Sequence, residues 1–282
     1  MSVCVVGRGL INTCASAVSV EMGACRFPSL ASLGATLPTG GNARPSVQEL
    51  RQEWWAACGS ENGPPAWPDW ESLGGRGKQQ SLHQPAERAA SQVGESGAKP
   101  LSPYDRTPIA ELAEDRGARS VEHVLPRSRV NGSAGGRAEN DPNAWVVASR
   151  TANSSRGNLP LVLWDHPDMK TVNSKGERVL VNGEAHFCPP LASRARLARV
   201  WVYTRATYGS IDSIDSPSAA QRENWDNIVS TMQDSPPDKY EVSLANTRRS
   251  SPRRWANPLS TTTASAWLDD ARVSDLETLV FN

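Results

Sequence analysis

A chain of 282 residues in which 30 Lys and Arg offset 30 Asp and Glu carries no net charge to steer a partner from a distance. Its 38% hydrophobic content, with 21 Gly and 21 Pro and a mean hydropathy of −0.49, excludes a coiled coil, a collagen and a wholly disordered chain. No apolar run reaches the ~18 residues that span a bilayer, so no membrane partner is expected.

The first third reads as loose. Residues 1–46 carry one acid, Glu21, and three basic residues, Arg8, Arg26 and Arg44. That bias gives no clear signal peptide; a weak targeting segment and an irregular extension are the two readings it allows. Four of the five cysteines (Cys4, Cys14, Cys25, Cys58 and, far downstream, Cys188) lie here, with no CxxC pair to hold zinc. Ser46 then offers an N-cap to a short helix ending near Cys58, with Leu50, Trp54 and Trp55 toward one face. From Glu61 to Lys99 the Gly, Pro, Ser, Gln and charged residues read as linker, with His83 a solvated histidine in it. The expected organisation is therefore an N-terminal extension, 1–99, and a folded domain, 100–282.

Order returns after Pro100. A short helix carries Ile109 and Leu112, and a strand is predicted over Ser120–Leu125, holding Glu122 and His123 before Pro126. Trp145–Ala148 predicts a second strand, and Arg150–Arg156 a turn into a short helix bearing Asn153. Strand, loop, strand and helix make a ββα finger. Phosphodiester hydrolysis needs a deprotonated water and positive charge on the phosphate oxygens. A neutral histidine near pH 7 suits the first task. Glu122 and Asn153 are hard oxygen donors suited to Mg²⁺. Neighbouring strand residues point to opposite faces, so Glu122 and His123 serve one centre only where the strand twists or ends.

Those residues, EHVLPRS, then GSAGGR ending at Arg137, then VVASRTANSSRGN, resemble the endonuclease I family of His-Me finger (ββα-metal, HNH-like) nucleases. The resemblance continues through Phe187-Cys188-Pro189-Pro190, RARLARVWVYTRATYG, Trp225, Glu241 with Arg248 and Arg249, and Asn257-Pro258-Leu259, covering about residues 100–265. It implies His123 as general base, Glu122 and Asn153 as ligands of one divalent cation, and Arg137 as the arginine on the cleaved phosphate. Arg156 and Asn158 would brace the finger or touch the scissile phosphate. Two positions depart from the pattern. Cys188 stands where the family has Glu, and Ala144 where many members have an Asn that orients the histidine; a backbone carbonyl or Asn143 is the substitute.

Two basic clusters complete the picture. The helix predicted over Leu191–Tyr208 carries Arg194, Arg196, Arg199 and Arg205 without an acid, and Arg248, Arg249, Arg253 and Arg254 follow in an expected loop. Together they read as nucleic-acid-binding surfaces that hold the phosphate backbone, with Tyr203, Tyr208 and Trp255 as stacking candidates. His166 and His186 read as ordinary surface or core histidines. A helix opening at Ser216-Pro217 and a helical tail close the chain.

The expectation is an α+β fold, a ββα-metal finger embedded in a helix-rich domain behind a poorly ordered N-terminal third. As a monomer it would cleave DNA or RNA with low sequence preference, leaving 5′-phosphate ends and using Mg²⁺, with Mn²⁺ or Ca²⁺ as substitutes. The alternative is a decayed finger that keeps only its nucleic-acid-binding surface.

Overall fold

The 18-residue helix over Leu191–Tyr208 is buried on nearly every side and organises the rest. A computed structural model describes residues 44–68, 82–95, 97, 99–115, 117–130, 137–165, 175–209 and 214–282. The reading of residues 1–43, the loop before Arg137 and His166 lie outside the described residues.

Elements follow in chain order. Helix α1 is Val47–Cys58, α2 Gln84–Gly94 and α3 Ile109–Glu114. Strand β1 is Arg119–His123, α4 Arg137–Asn140, β2 Trp145–Ser149 and α5 Arg150–Arg156. The hairpin β3 (Glu177–Val181) and β4 (Glu184–Cys188) leads into α6, Leu191–Tyr208. Then come α7 (Ala219–Glu223), α8 (Trp225–Asp234), α9 (Lys239–Arg249), α10 (Ser265–Leu268) and α11 (Asp270–Phe281). Helices beside two two-stranded antiparallel sheets make the fold α+β. Among the described residues no helix is long and apolar enough to cross a membrane.

Residues 44–282 form one compact unit, which moves the expected boundary. Helix α1 starts on a reciprocal capping box: the Ser46 hydroxyl accepts from the Glu49 amide, and the Glu49 carboxylate accepts from the Ser46 amide. Leu50, Trp54 and Cys58, spaced by four, fall on its inner stripe. The Trp54 indole donates to Thr207 Oγ1 at 2.8 Å and meets Trp267 edge-on at 4.9 Å. The stretch read as linker holds α2, whose small stripe of Ala86, Ala89, Ala90 and Val93 packs against α3 and α9. His83 is buried at its start, not solvated, and burial with nearby Arg119 lowers its pKa to about 4. Composition hid this helix because alanine packs closely without raising hydropathy.

Strands β1 and β2 pair antiparallel from Arg119↔Ser149 to His123↔Trp145. The two-residue period assigns their faces. Val146 and Ala148 join the large core around α1, α6, α8 and α11. Val121, Trp145 and Val147 join a second cluster with α2, α3 and α9. Helix α5 follows β2 without a loop, capped by Ser149, whose hydroxyl accepts from the Ala152 amide at 3.1 Å. Beyond it, Asn182 and Gly183 turn β3 into β4 with φ of 52° and 81°, the two positive values a tight hairpin demands. Downstream, Ser218 rather than Ser216 caps the next helix, which breaks at Asn224 into α7 and α8.

Candidate active site

His123 is the last residue of β1 and is 9% exposed. Its Nε2 lies 3.0 Å from the Glu139 carbonyl oxygen. A carbonyl only accepts, so Nε2 carries a proton, and in the neutral form of the ring Nδ1 holds the lone pair. The Trp145 indole donates to the same carbonyl at 3.0 Å, and its ring sits edge-on to the imidazole at 5.5 Å. A backbone carbonyl thus does the orienting that Ala144 cannot. Asn143, the other substitute, turns instead to Asp141, donating from Nδ2 to Oδ1 at 2.8 Å.

The segment that presents Glu139 is pinned at both ends. Before it, exposed Arg137 opens α4, and Arg127 Nε meets the Glu139 carboxylate at 2.6 Å. After it, fully buried Asp141 accepts from the Asn143 amide at 2.8 Å, the Tyr208 hydroxyl at 2.8 Å and the Tyr203 hydroxyl. Burial raises the Asp141 pKa, and these hydrogen bonds pull the other way. Sequence reasoning misses Asp141, because a lone Asp before Pro in a loop carries no periodic signal. Tyr203, Tyr208 and Trp255 are all buried in this network, with the Trp255 indole donating to the Tyr203 hydroxyl at 2.6 Å. None of the three faces a base.

The opposite face of β1 carries the expected ligands. Glu122 Oε1 accepts from the Tyr104 hydroxyl at 2.9 Å and pairs with Arg156 Nη1 at 2.8 Å. Arg156, 1% exposed, also donates to the carbonyls of His123 (3.2 Å) and Val124 (2.6 Å). It therefore braces the end of the strand and does not reach a phosphate. Burial raises Glu122 to about 7, against the pull of Arg156 and the Tyr104 hydroxyl. Asn153 Nδ2 donates to Ser120 Oγ at 2.8 Å and to the Val121 carbonyl at 3.1 Å. Glu122 and Asn153 thus lie on the α5 side of β1, and His123 on the other.

The donor chemistry fits a hard divalent cation. No donor among the described residues engages Glu122 Oε2 or Asn153 Oδ1, so each side chain is fixed by one end and keeps one oxygen uncommitted. One carboxylate and one amide suit Mg²⁺, which keeps several waters. Among the described residues no group of three or more His, Cys, Asp or Glu gathers, at the finger or away from it.

The expected basic surfaces are corrected. Arg194, Arg199 and Arg205 are buried. Arg194 donates to the Trp164 carbonyl at 2.8 Å and the Pro189 carbonyl at 3.2 Å. It also reaches Cys188 Sγ at 3.4 Å, where burial has pushed the thiol up to about 11. Arg199 grips Glu241 with two nitrogens, at 2.9 and 2.6 Å. Arg205 donates to the Asp215 carbonyl and lies over the Trp201 ring. Arg196, partly buried, donates to the Leu101 carbonyl at 3.2 Å and stacks on Tyr240. Arg248 and Arg249 form the last turn of α9 rather than a loop; Arg248 donates to Asn143 Oδ1 at 3.3 Å and Arg249 to the Ala57 carbonyl at 3.0 Å. The guanidinium groups of Arg194, Arg199 and Arg205, spent inside the protein, cannot bind a phosphate outside it. His186 is a core histidine, between the Glu184 carbonyl and Ser218.

No protein-family model and no curated protein sequence matches the chain.

Proposed function

We propose that the chain is an endonuclease of the His-Me finger type, hydrolysing phosphodiester bonds of DNA or RNA with little sequence preference. The observation that carries the reading is the His123–Glu139 hydrogen bond at the end of β1. It fixes the tautomer that leaves Nδ1 as the proton acceptor, which a general base requires before substrate arrives. The order β1, β2, α5 supports it, with the oxygens of Glu122 and Asn153 on the opposite face of the same strand.

In this reading the scissile phosphate sits at the C-terminal end of β1, beside His123. His123 Nδ1 takes a proton from water as the water oxygen attacks phosphorus in line with the departing 3′ oxygen. Phosphorus keeps the new oxygen, so the product end is a 5′-phosphate. Exposed Arg137, two residues before Glu139, holds that phosphate. Glu122 Oε2 and Asn153 Oδ1 would hold a divalent cation, Mg²⁺ with Mn²⁺ or Ca²⁺ as substitutes. Such an ion supplies positive charge for the phosphate oxygens and the leaving oxygen.

The test is digestion of supercoiled plasmid and of total RNA by the full chain, since residues 44–95 belong to the folded unit. Nicking that needs Mg²⁺, stops with EDTA and is lost in His123→Ala is the expected result. One observation favours a second reading, a binding module with a closed finger: Glu122 is buried against Arg156 at 2.8 Å. Salt-sensitive binding by folded protein that cuts neither substrate would select it.

A further inference from the structure

Helices α2 and α9 pack side by side but leave an open groove of about 930 Å³ on their outer surface. It continues past Arg88, Thr247 and Ser251, which it shares with a second cavity of about 210 Å³. The groove wall carries Arg88 and Lys239, and the cavity wall adds Arg248 and Arg253. No carboxylate stands among the described residues that line either one. Most of the remaining wall is hydroxyl and amide, including Ser243, Asn246 and Asn143. In a chain with equal numbers of acids and bases, a run of cations without one acid is a local charge segregation.

The cavity ends on the segment that orients the base. Asn140, Pro142 and Asn143 form its wall, and Asn140 directly follows Glu139, whose carbonyl holds His123. Trp67 borders the same cavity, with the Arg253 guanidinium 5.1 Å from its ring centre. Arg248 keeps Nε and Nη2 without an acceptor while burial lowers its pKa. A desolvated guanidinium with unspent donors gains most from an anion.

We propose that this groove and cavity form the track for one strand of nucleic acid, its phosphates on Arg88, Lys239 and Arg253, leading to the segment that holds His123. The inference rests on the nuclease reading for its direction, not for the binding itself. A single strand is favoured over a duplex because only unpaired bases expose a face to a ring such as Trp67 at the cavity wall. Cations lining a groove, with an aromatic ring at its end, are what single-strand binding uses. The buried arginines of α6 were the wrong place for this surface; Arg88 on α2, Lys239 on α9 and Arg253 in the loop after it are exposed.

The experiment uses the full chain carrying His123→Ala, so that the probe stays intact, and short fluorescein-labelled single strands of DNA and of RNA. Fluorescence anisotropy is followed against salt. Reversing Arg88, Lys239 and Arg253 to Glu should weaken binding at least tenfold. It should also flatten the dependence of log K on log salt by roughly 0.7 for each phosphate no longer held. The same net change placed outside the groove, at exposed Arg44, Lys175 and Arg222, should leave affinity within about twofold, the residual that long-range charge produces at physiological salt. Equal loss in both triple variants, or none in the groove variant, overturns the track. Equal displacement of the strand by polyglutamate of matched charge overturns the assignment to nucleic acid. Failure of wild-type protein to cut plasmid or RNA would instead overturn the nuclease reading and leave this binding result standing.

Discussion

The two faces of the β1–β2 ladder treat ionisable groups in opposite ways. On the α5 face, Glu122 meets Arg156 and Tyr104, so its charge is answered by side chains before any ligand arrives. On the other face a backbone carbonyl holds His123 through Nε2, which fixes where the proton sits without supplying an opposite full charge. His123 is oriented by a neutral backbone group. A residue that holds the strand is neutralised in full, and Glu122 combines the two by spending one oxygen and keeping the other.

Substitutions can break that contrast, beginning with the largest effect. His123→Ala should lower plasmid nicking by about 10²–10⁴-fold, while the urea midpoint moves little, as read from matched kinetics and unfolding curves. Arg156→Ala leaves a buried carboxylate alone and should cost about 3–5 kcal/mol of stability. The double variant with Glu122→Ala should lose less than the two single losses added, a coupling that a urea-based cycle measures directly. Arg199→Ala, which strands Glu241, should behave like Arg156→Ala and leave the salt dependence of nucleic-acid binding unchanged. A changed salt slope would return Arg199 to the binding surface. Arg137→Ala should slow cleavage by up to about 10²-fold with no shift in thermal midpoint, because the side chain is exposed.

The smallest effect belongs to His83. Its folded pKa near 4 lies below the ordinary 6.5, so the neutral ring is the folded form and the unfolded chain gains the proton first. Stability from this residue is complete above pH 6.5 and is lost as pH falls from there through 4. His83→Leu should flatten that acid limb in urea titrations at a series of pH values.

Much of the β1, β2 and α5 unit was legible in the sequence. The apolar run Trp145–Ala148 gives β2 to within a residue, and the strand read over Ser120–Leu125 stands at Arg119–His123, two residues shorter at its end. The helix Leu191–Tyr208 also stands where its spacing puts it. What misled was the meaning of its arginines. A hydrophobicity pattern treats Arg as surface, yet a long guanidinium arm can bury its stem and find carbonyls such as those of Trp164 and Pro189. Acceptors of that kind come from distant loops and have no local signature. The Glu139 carbonyl that orients His123 is backbone, so no residue type announces it. By contrast the Asn182-Gly183 hairpin carries a local turn signature of its own.

Helix α1 has a consequence for how the chain is made. Trp54 rests on Trp267 and Thr207, and Glu53 meets Arg272 at 2.7 Å, so α1 finds its seat on residues translated as many as 219 positions later. Until α11 emerges, the indoles of α1 face water or a chaperone. Contacts of such long sequence separation slow folding and expose apolar surface meanwhile. This unit should therefore reach its native state only once α10 and α11 have emerged, and a ribosome stalled before residue 265 should present a protease-sensitive nascent chain.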